Sequence, residues 1–243
     1  MNKITAILAA VSEETAGIKH AMNITDRIRL GKSEAWPGKW QGKNIVLVRT
    51  GVGKQRAAEA ALKTIEKFSP DRLLSIGYAG GLVPELQVND LIVAERIVDV
   101  ESSAEFLPDQ QWLQLAQNIS VSENYKVISG KLVTANKVIH SPLDKKEFGE
   151  RLSAQAVEME TSAIAKVVTD KNLPFLSVRA ISDSVEQEIL DSSSFLGRDG
   201  EISKLKAGWY VLTHPGSIAS ALSLRSQTQR ATRTMTEFVL HLL

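Results

Sequence analysis

Short apolar runs in this chain alternate with segments of helical spacing, and that alternation restricts the fold more than any other feature. Ile4–Val11, Lys43–Arg49, Arg72–Ile76, Leu91–Val98, Lys126–Val133 and Phe175–Val178 each have the length and content of a buried strand. Helical patterns run from Ser12, whose hydroxyl suits an N-cap, to about Met22 and from Lys54 through Ala57, Ala58, Ala60, Ala61 and Leu62. Others cover about Leu143–Leu152, Ser162–Asn172, Lys204–Leu212 and Gly216–Leu243. Ala35–Trp40 and Lys43–Arg49 flank Gln41-Gly42 and read as a hairpin. Strands interleaved with helices in this way imply three α/β/α layers around a central mixed, largely parallel sheet. No Pro/Gly/Ser-rich linker or abrupt charge shift interrupts the 243 residues, so a single domain over 1–243 is expected.

Open α/β sheets bind ligands at the carboxyl ends of their strands, so acids at those ends are the first functional candidates. Asp183 follows the apolar run ending at Val178, and Glu14 follows the first strand. Glu160, in Val157-Glu158-Met159-Glu160-Thr161, stands where a helix begins. Each acid also has a purely structural reading: Glu14 and Glu160 suit the positive end of a helix dipole, and Asp183 suits a cap. Two glycine-rich segments accompany them. Thr50-Gly51-Val52-Gly53-Lys54 is a turn opening a helix, and Gly77-Tyr78-Ala79-Gly80-Gly81 closes a strand with backbone that a ligand can approach.

Several functions are excluded. Arg56 stands where a dinucleotide fingerprint needs its third glycine, and Asp26 stands where a P-loop ending in Gly31-Lys32-Ser33 needs its first. The chain has no cysteine, and its four histidines are isolated, so neither a thiol nucleophile nor a metal site is expected. A net charge of +1 argues against a nucleic-acid partner. No apolar run approaches the roughly 20 residues of a membrane span. The amino-terminal apolar run passes straight into Ser12-Glu13-Glu14 and reads as a strand rather than a signal peptide, so a cytoplasmic protein is expected.

Glu14, Gly51-Val52-Gly53-Lys54, Gly77-Tyr78-Ala79-Gly80-Gly81, Val157-Glu158-Met159-Glu160 and Arg179-Ala180-Ile181-Ser182-Asp183 occur in this order. Together they resemble the nucleoside phosphorylase/nucleosidase superfamily, and within it the methylthioadenosine/S-adenosylhomocysteine nucleosidases. Beyond Asp183 the likeness shifts: Asp199-Gly200, Pro215 and the long terminal helix look more like the hopanoid-associated nucleosidases, which act on an adenosylated lipid. The resemblance implies a nucleoside phosphorylase-like fold and hydrolysis of the N-glycosidic bond of an adenosine-type nucleoside, with no cofactor and a homodimer as the assembly.

The resemblance also implies roles. Asp183, helped by Ser182, would protonate N7 of the purine, with its acidity weakened by burial and nearby negative charge. Glu160 would accept the ribose hydroxyls with Met159 against the sugar, Glu14 would activate water, and Glu158, Gly80, Ala79 and Val138 would complete the binding surface. An anionic Glu14 in the segment where phosphorylases bind phosphate favours water over phosphate. Phosphorolysis and non-catalytic nucleoside binding are the alternatives. Two positions depart from the nucleosidase pattern: Tyr78 replaces a small Ser or Thr, and Lys137 replaces the Phe expected on the purine face.

Overall fold

The computed structural model describes residues 3–120, 124–189 and 217–243, with side chains of the last segment from residue 229. The expected helix at Lys204–Leu212, and most of the polar Glu186–Glu201 stretch read as a loop beside the site, lie outside the described residues.

The central strands are β1 (Ile4–Ala9), β5 (Lys43–Arg49), β6 (Arg72–Gly81), β7 (Leu91–Asp99), β9 (Val127–Thr134), β10 (Ala156–Glu158) and β11 (Phe175–Asp183). Short strands β2 (Asn23–Ile24), β3 (Ile28–Leu30) and β8 (Glu105–Phe106), with β4 (Ser33–Trp40), extend the edges. The order is β10-β9-β7-β11-β6-β1-β5-β4-β2, and β10 also pairs with β6. That last pairing closes half of the sheet into a ring of β6, β11, β7, β9 and β10. The sheet is mixed: β1 runs parallel to β5 and β6, and β6 to β11, whereas β7 is antiparallel to β11.

Side chains alternate across a strand, and β1 shows the consequence. Ala6 and Leu8 face one apolar cluster with Ala57, Ala60 and Ala61 of α2 (Lys54–Phe68) and Ile164 of α5 (Thr161–Asp170). Ile7 and Ala9 face the other, with Ile18 of α1 (Ser12–Ala21), Trp112 of α3 (Gln110–Gln117) and Met235 and Phe238 of α6 (Ser217–Leu242). Helices thus cover both faces, giving the three layers expected. The alanines of α2 present no bulk, so that helix can lie close to the sheet. In the β4–β5 hairpin, Gln41 and Gly42 both have positive φ, the geometry of a two-residue turn matching strand twist.

The sequence reading departs from this fold in four places. β6 continues past the apolar run ending at Ile76 through the whole glycine cluster to Gly81, and β11 runs five residues beyond Val178. Helix α3 went unread, although Asp109 caps it by accepting from the Trp112 N–H at 2.8 Å, and Trp112, Leu113 and Ala116 give it a buried face. Val11, not Ser12, is the N-cap of α1. The Glu14 carboxylate bonds the Val11 N–H at 2.9 Å, while Ser12 Oγ accepts from Arg49.

Candidate active site

The ends of β1, β6, β10 and β11 converge on a cavity of about 310 Å³. Its wall includes each residue given a catalytic or binding role from sequence: Glu14, Ala79, Gly80, Val138, Glu158, Met159, Glu160, Ser182 and Asp183. A larger chamber of about 600 Å³ adjoins it beyond Val138, against α4 (Pro142–Leu152), but none of the three candidate acids lines that space.

Glu14 sits in the first turn of α1 with its carboxylate folded back under the end of β1. Its Oε2 accepts from the N–H groups of Ala10 (2.7 Å) and Val11 (2.9 Å), and Oε1 accepts from the Tyr78 N–H (2.9 Å). Only 5% of the residue is exposed. Burial raises its pKa above the ordinary carboxylate value, against the pull of those amides and of Arg179. The glycine at 77 makes this packing possible: a methyl group there would lie 2.7 Å from Oε1.

Glu160 is the N-cap residue of α5, and its Oε1 accepts from the Gly53 N–H at 2.7 Å. Gly53 holds φ 99° at the start of α2, a conformation that glycine adopts without strain. Loss of hydration pushes Glu160 up to about 8; repulsion from Glu158 adds to this, and the Gly53 bond opposes it. The folded state therefore favours the protonated acid, and stability present below pH 4.5 is lost as pH rises through about 8. Glu160→Gln cannot ionise and escapes that loss. We expect its melting temperature, relative to the parent, to climb between those pH values and to be flat outside them. Because solvent still reaches this half-buried group, the net effect is about 2 kcal/mol. Parallel thermal melts across the pH range check it.

Glu158 lines the cavity, and its carboxylate is also engaged by the protein. Its Oε1 accepts from Thr134 Oγ1 at 2.6 Å, and Oε2 accepts from the N–H groups of Glu160 and Thr161, both at 2.9 Å. Arg179 approaches Oε2 at 3.4 Å and also donates to Ser75 and Thr161, both at 2.7 Å. Although it touches the cavity, Glu158 is saturated by protein donors and anchors the turn that presents Glu160.

Asp183 ends β11 beside a register shift against β6: Ile181 pairs with Ala79, and Asp183, not Ser182, pairs with Gly80. Strict alternation would send Ser182 and Asp183 to opposite faces; the bulge lets both line the cavity. Ser182 Oγ donates to Asp183 Oδ1 at 2.6 Å. A methyl group at Gly80 would lie 3.1 Å from Oδ2. Among the described residues, the charge paired with Asp183 is positive rather than the negative neighbour expected. Lys145 of α4 forms an ion pair with Oδ2 instead. Lys145 went unnoticed in the sequence, although it shares helical spacing with Phe148, Gly149 and Leu152 on the buried side of α4.

A model of the phosphorylase superfamily matches residues 5–207. The chain belongs to that superfamily. The 5′-methylthioadenosine/S-adenosylhomocysteine nucleosidase of Staphylococcus haemolyticus is 30% identical over 217 residues, covering 81% of this chain and 94% of the relative. The solved structure of the nucleosidase of that name from Neisseria meningitidis, in complex with methylthio-immucillin-A, superimposes with a TM-score of 0.78 at 24% identity. That match covers 99% of this chain and 98% of the other. Futalosine hydrolase of Helicobacter pylori also has a TM-score of 0.78, at 21% identity, covering 100% and 97%. The nucleoside phosphorylase-like fold expected from the sequence is therefore the fold observed.

The two departures from the nucleosidase pattern have distinct outcomes within this superfamily fold. The Tyr78 hydroxyl pairs with Thr232 of α6, and its ring packs on the cluster beneath that helix. The cavity stays open between Glu14 and Asp183. Burial holds the phenol well above its usual pKa, so it stays protonated. Lys137 is exposed at the rim and brings no aromatic face, while Val138 and Ile139 supply apolar wall. Among the described residues no helix is long and apolar enough to cross a membrane, and no group of acids and histidines could hold a metal ion.

Proposed function

We propose that this chain is a purine nucleoside N-ribohydrolase acting on an adenosine-type nucleoside modified at its 5′ position. The observation that carries the reading is the convergence of Glu14, Glu160 and Asp183 on one cavity of nucleoside size. Breaking the ribosyl C–N bond leaves an oxocarbenium-like sugar and an anionic purine, so the site needs a proton at the base and a nucleophile at C1′. Asp183, braced by Ser182, serves N7 of the base. Glu160 accepts the ribose hydroxyls, Met159 packs on the sugar, and Ala79, Gly80 and Val138 border the base. Glu14 orients water and takes its proton on the other side, the arrangement of two carboxyl groups with a water between them used by inverting glycosidases. Glu158 acts one step back, by fixing the Glu160 turn.

Water is favoured over phosphate by how the nearby donors are spent. Gly53 N–H binds Glu160, Lys54 pairs with Asp99 at 2.7 Å, and Arg49 pairs with Glu34 at 2.9 Å. An entering phosphate would meet the Glu14 carboxylate with those cations already paired. The cavity lies at the small end of the roughly 300–1,000 Å³ typical of ligand sites. The curated relative of 30% identity, by name a 5′-methylthioadenosine/S-adenosylhomocysteine nucleosidase, supports a 5′ thioether over the lipid of the hopanoid-associated proteins. Asp199-Gly200 and Pro215, which carry that likeness, lie outside the described residues. A homodimer is part of this reading, on the strength of the family resemblance.

The test is free-base release from methylthioadenosine, S-adenosylhomocysteine, futalosine and unmodified purine nucleosides, each with and without phosphate. We expect base and free sugar without phosphate. Turnover only with phosphate would make the chain a phosphorylase, and binding without cleavage across the panel would make it a non-catalytic nucleoside binder.

A further inference from the structure

Lys145 is 0% exposed, and a lysine is seldom fully buried unless it is paired. Its ammonium group has three hydrogens and three acceptors: Asp183 Oδ2, the Ser184 carbonyl at 3.0 Å and the Gln187 carbonyl at 2.8 Å. The group is therefore fully used, and it ties α4 and the turn after β11 to one oxygen of Asp183. Ser182 holds the other oxygen. An apolar side chain beside Phe148 and Leu152 would fill this position without the cost of desolvating a charge. What the lysine adds is its contact with the base-side acid.

We propose that Lys145 is the positioning residue for Asp183 and the source of the proton that Asp183 delivers to the base. This rests on the reading of Asp183 as the acid at N7. As the C1′–N9 bond breaks, its electron pair moves into the purine. Starting from the carboxylate–ammonium pair, Asp183 Oδ2 takes a proton from Lys145 Nζ and the carboxyl group so formed gives its proton to N7. Neutral purine, the carboxylate and a neutral amine result. The water attacking C1′ gives one proton to Glu14, so the protons balance, and exchange with solvent after product release restores the starting state.

A leaving group that needs no proton separates this role from a structural one. A 4-nitrophenyl riboside expels its phenolate unaided, whereas an adenosine-type nucleoside needs the acid. Lys145→Met should lower kcat on the nucleoside by about 10²-fold, with KM and the nitrophenyl rate within about threefold of the parent. Combined with Asp183→Asn it should add no further loss, because both changes remove one unit. Parental turnover of the nucleoside by Lys145→Met, equal losses on both substrates, or additive losses in the double variant would overturn the proposal. If Lys145→Met does not fold, Lys145→Gln, which keeps a donor for Oδ2 without a transferable charge, is held to the same outcomes. Undiminished turnover by Asp183→Asn alone would instead sink the reading of the acid itself.

Discussion

Asp183→Asn is expected to lower kcat for purine release by about 10³-fold, within the range of general-acid contributions, while the cavity and the nucleoside's affinity persist. The amide has nearly the shape of the carboxylate, keeps a contact to Ser182 Oγ, and offers no acid to N7. The same change leaves the Lys145 ammonium buried without its counter-charge. Breaking a buried pair from one side is costly, so we also expect about 3 kcal/mol of lost stability. Initial rates at saturating substrate, with a denaturant melt on the same preparation, measure both. A variant that melted like the parent would place the Lys145–Asp183 pair outside the stability of the fold. One that turned over like the parent would move the acid elsewhere.

Gly77→Ala should be nearly as damaging to turnover, although residue 77 carries no functional group. The added methyl would lie 2.7 Å from Glu14 Oε1 and 3.2 Å from its carboxyl carbon. Glu14 cannot yield easily, because Ala10, Val11 and Tyr78 hold it from two sides. Either the carboxylate leaves its amides or β6 shifts, and overpacking of this kind costs about 1–3 kcal/mol. We expect kcat to fall by about 10²-fold or more with modest loss of stability. Glu14→Gln should show a similar fall. If the glycine acts through Glu14, placing Gly77→Ala on the Glu14→Gln background should add little. Additive losses would assign Gly77 a separate role, such as close approach to the sugar.

The acids were legible because of where they stand in the chain. Glu14 follows an apolar strand, Asp183 closes one, and Glu160 opens a helix; these local positions survive into the fold. The hairpin at Gln41-Gly42 and the glycine entry to α2, with Gly51 and Gly53, were legible for the same reason, since positive φ within a turn is a local demand. Helix α3 was lost because its signal is one cap and three apolar residues within eight.

The remaining features depend on partners distant in the chain. Glu158 reads as part of the binding surface, and that Thr134 and Arg179 also engage its oxygens is set by residues far off in the chain. Ser182 and Asp183 share a face only through a register shift set by pairing with β6. Lys145 lies 38 residues from Asp183 and looks like one basic residue among several on a polar helix. By itself the sequence determined the strand–helix alternation, the layers and three of the acids that line the cavity, because periodicity and strand-end position are properties of neighbouring residues. Only the tertiary structure decided that β10 closes on β6, that a glycine makes room for Glu14, and that a buried cation meets Asp183. Charge pairing and steric fit between segments act across space, and spacing along the chain leaves no record of them.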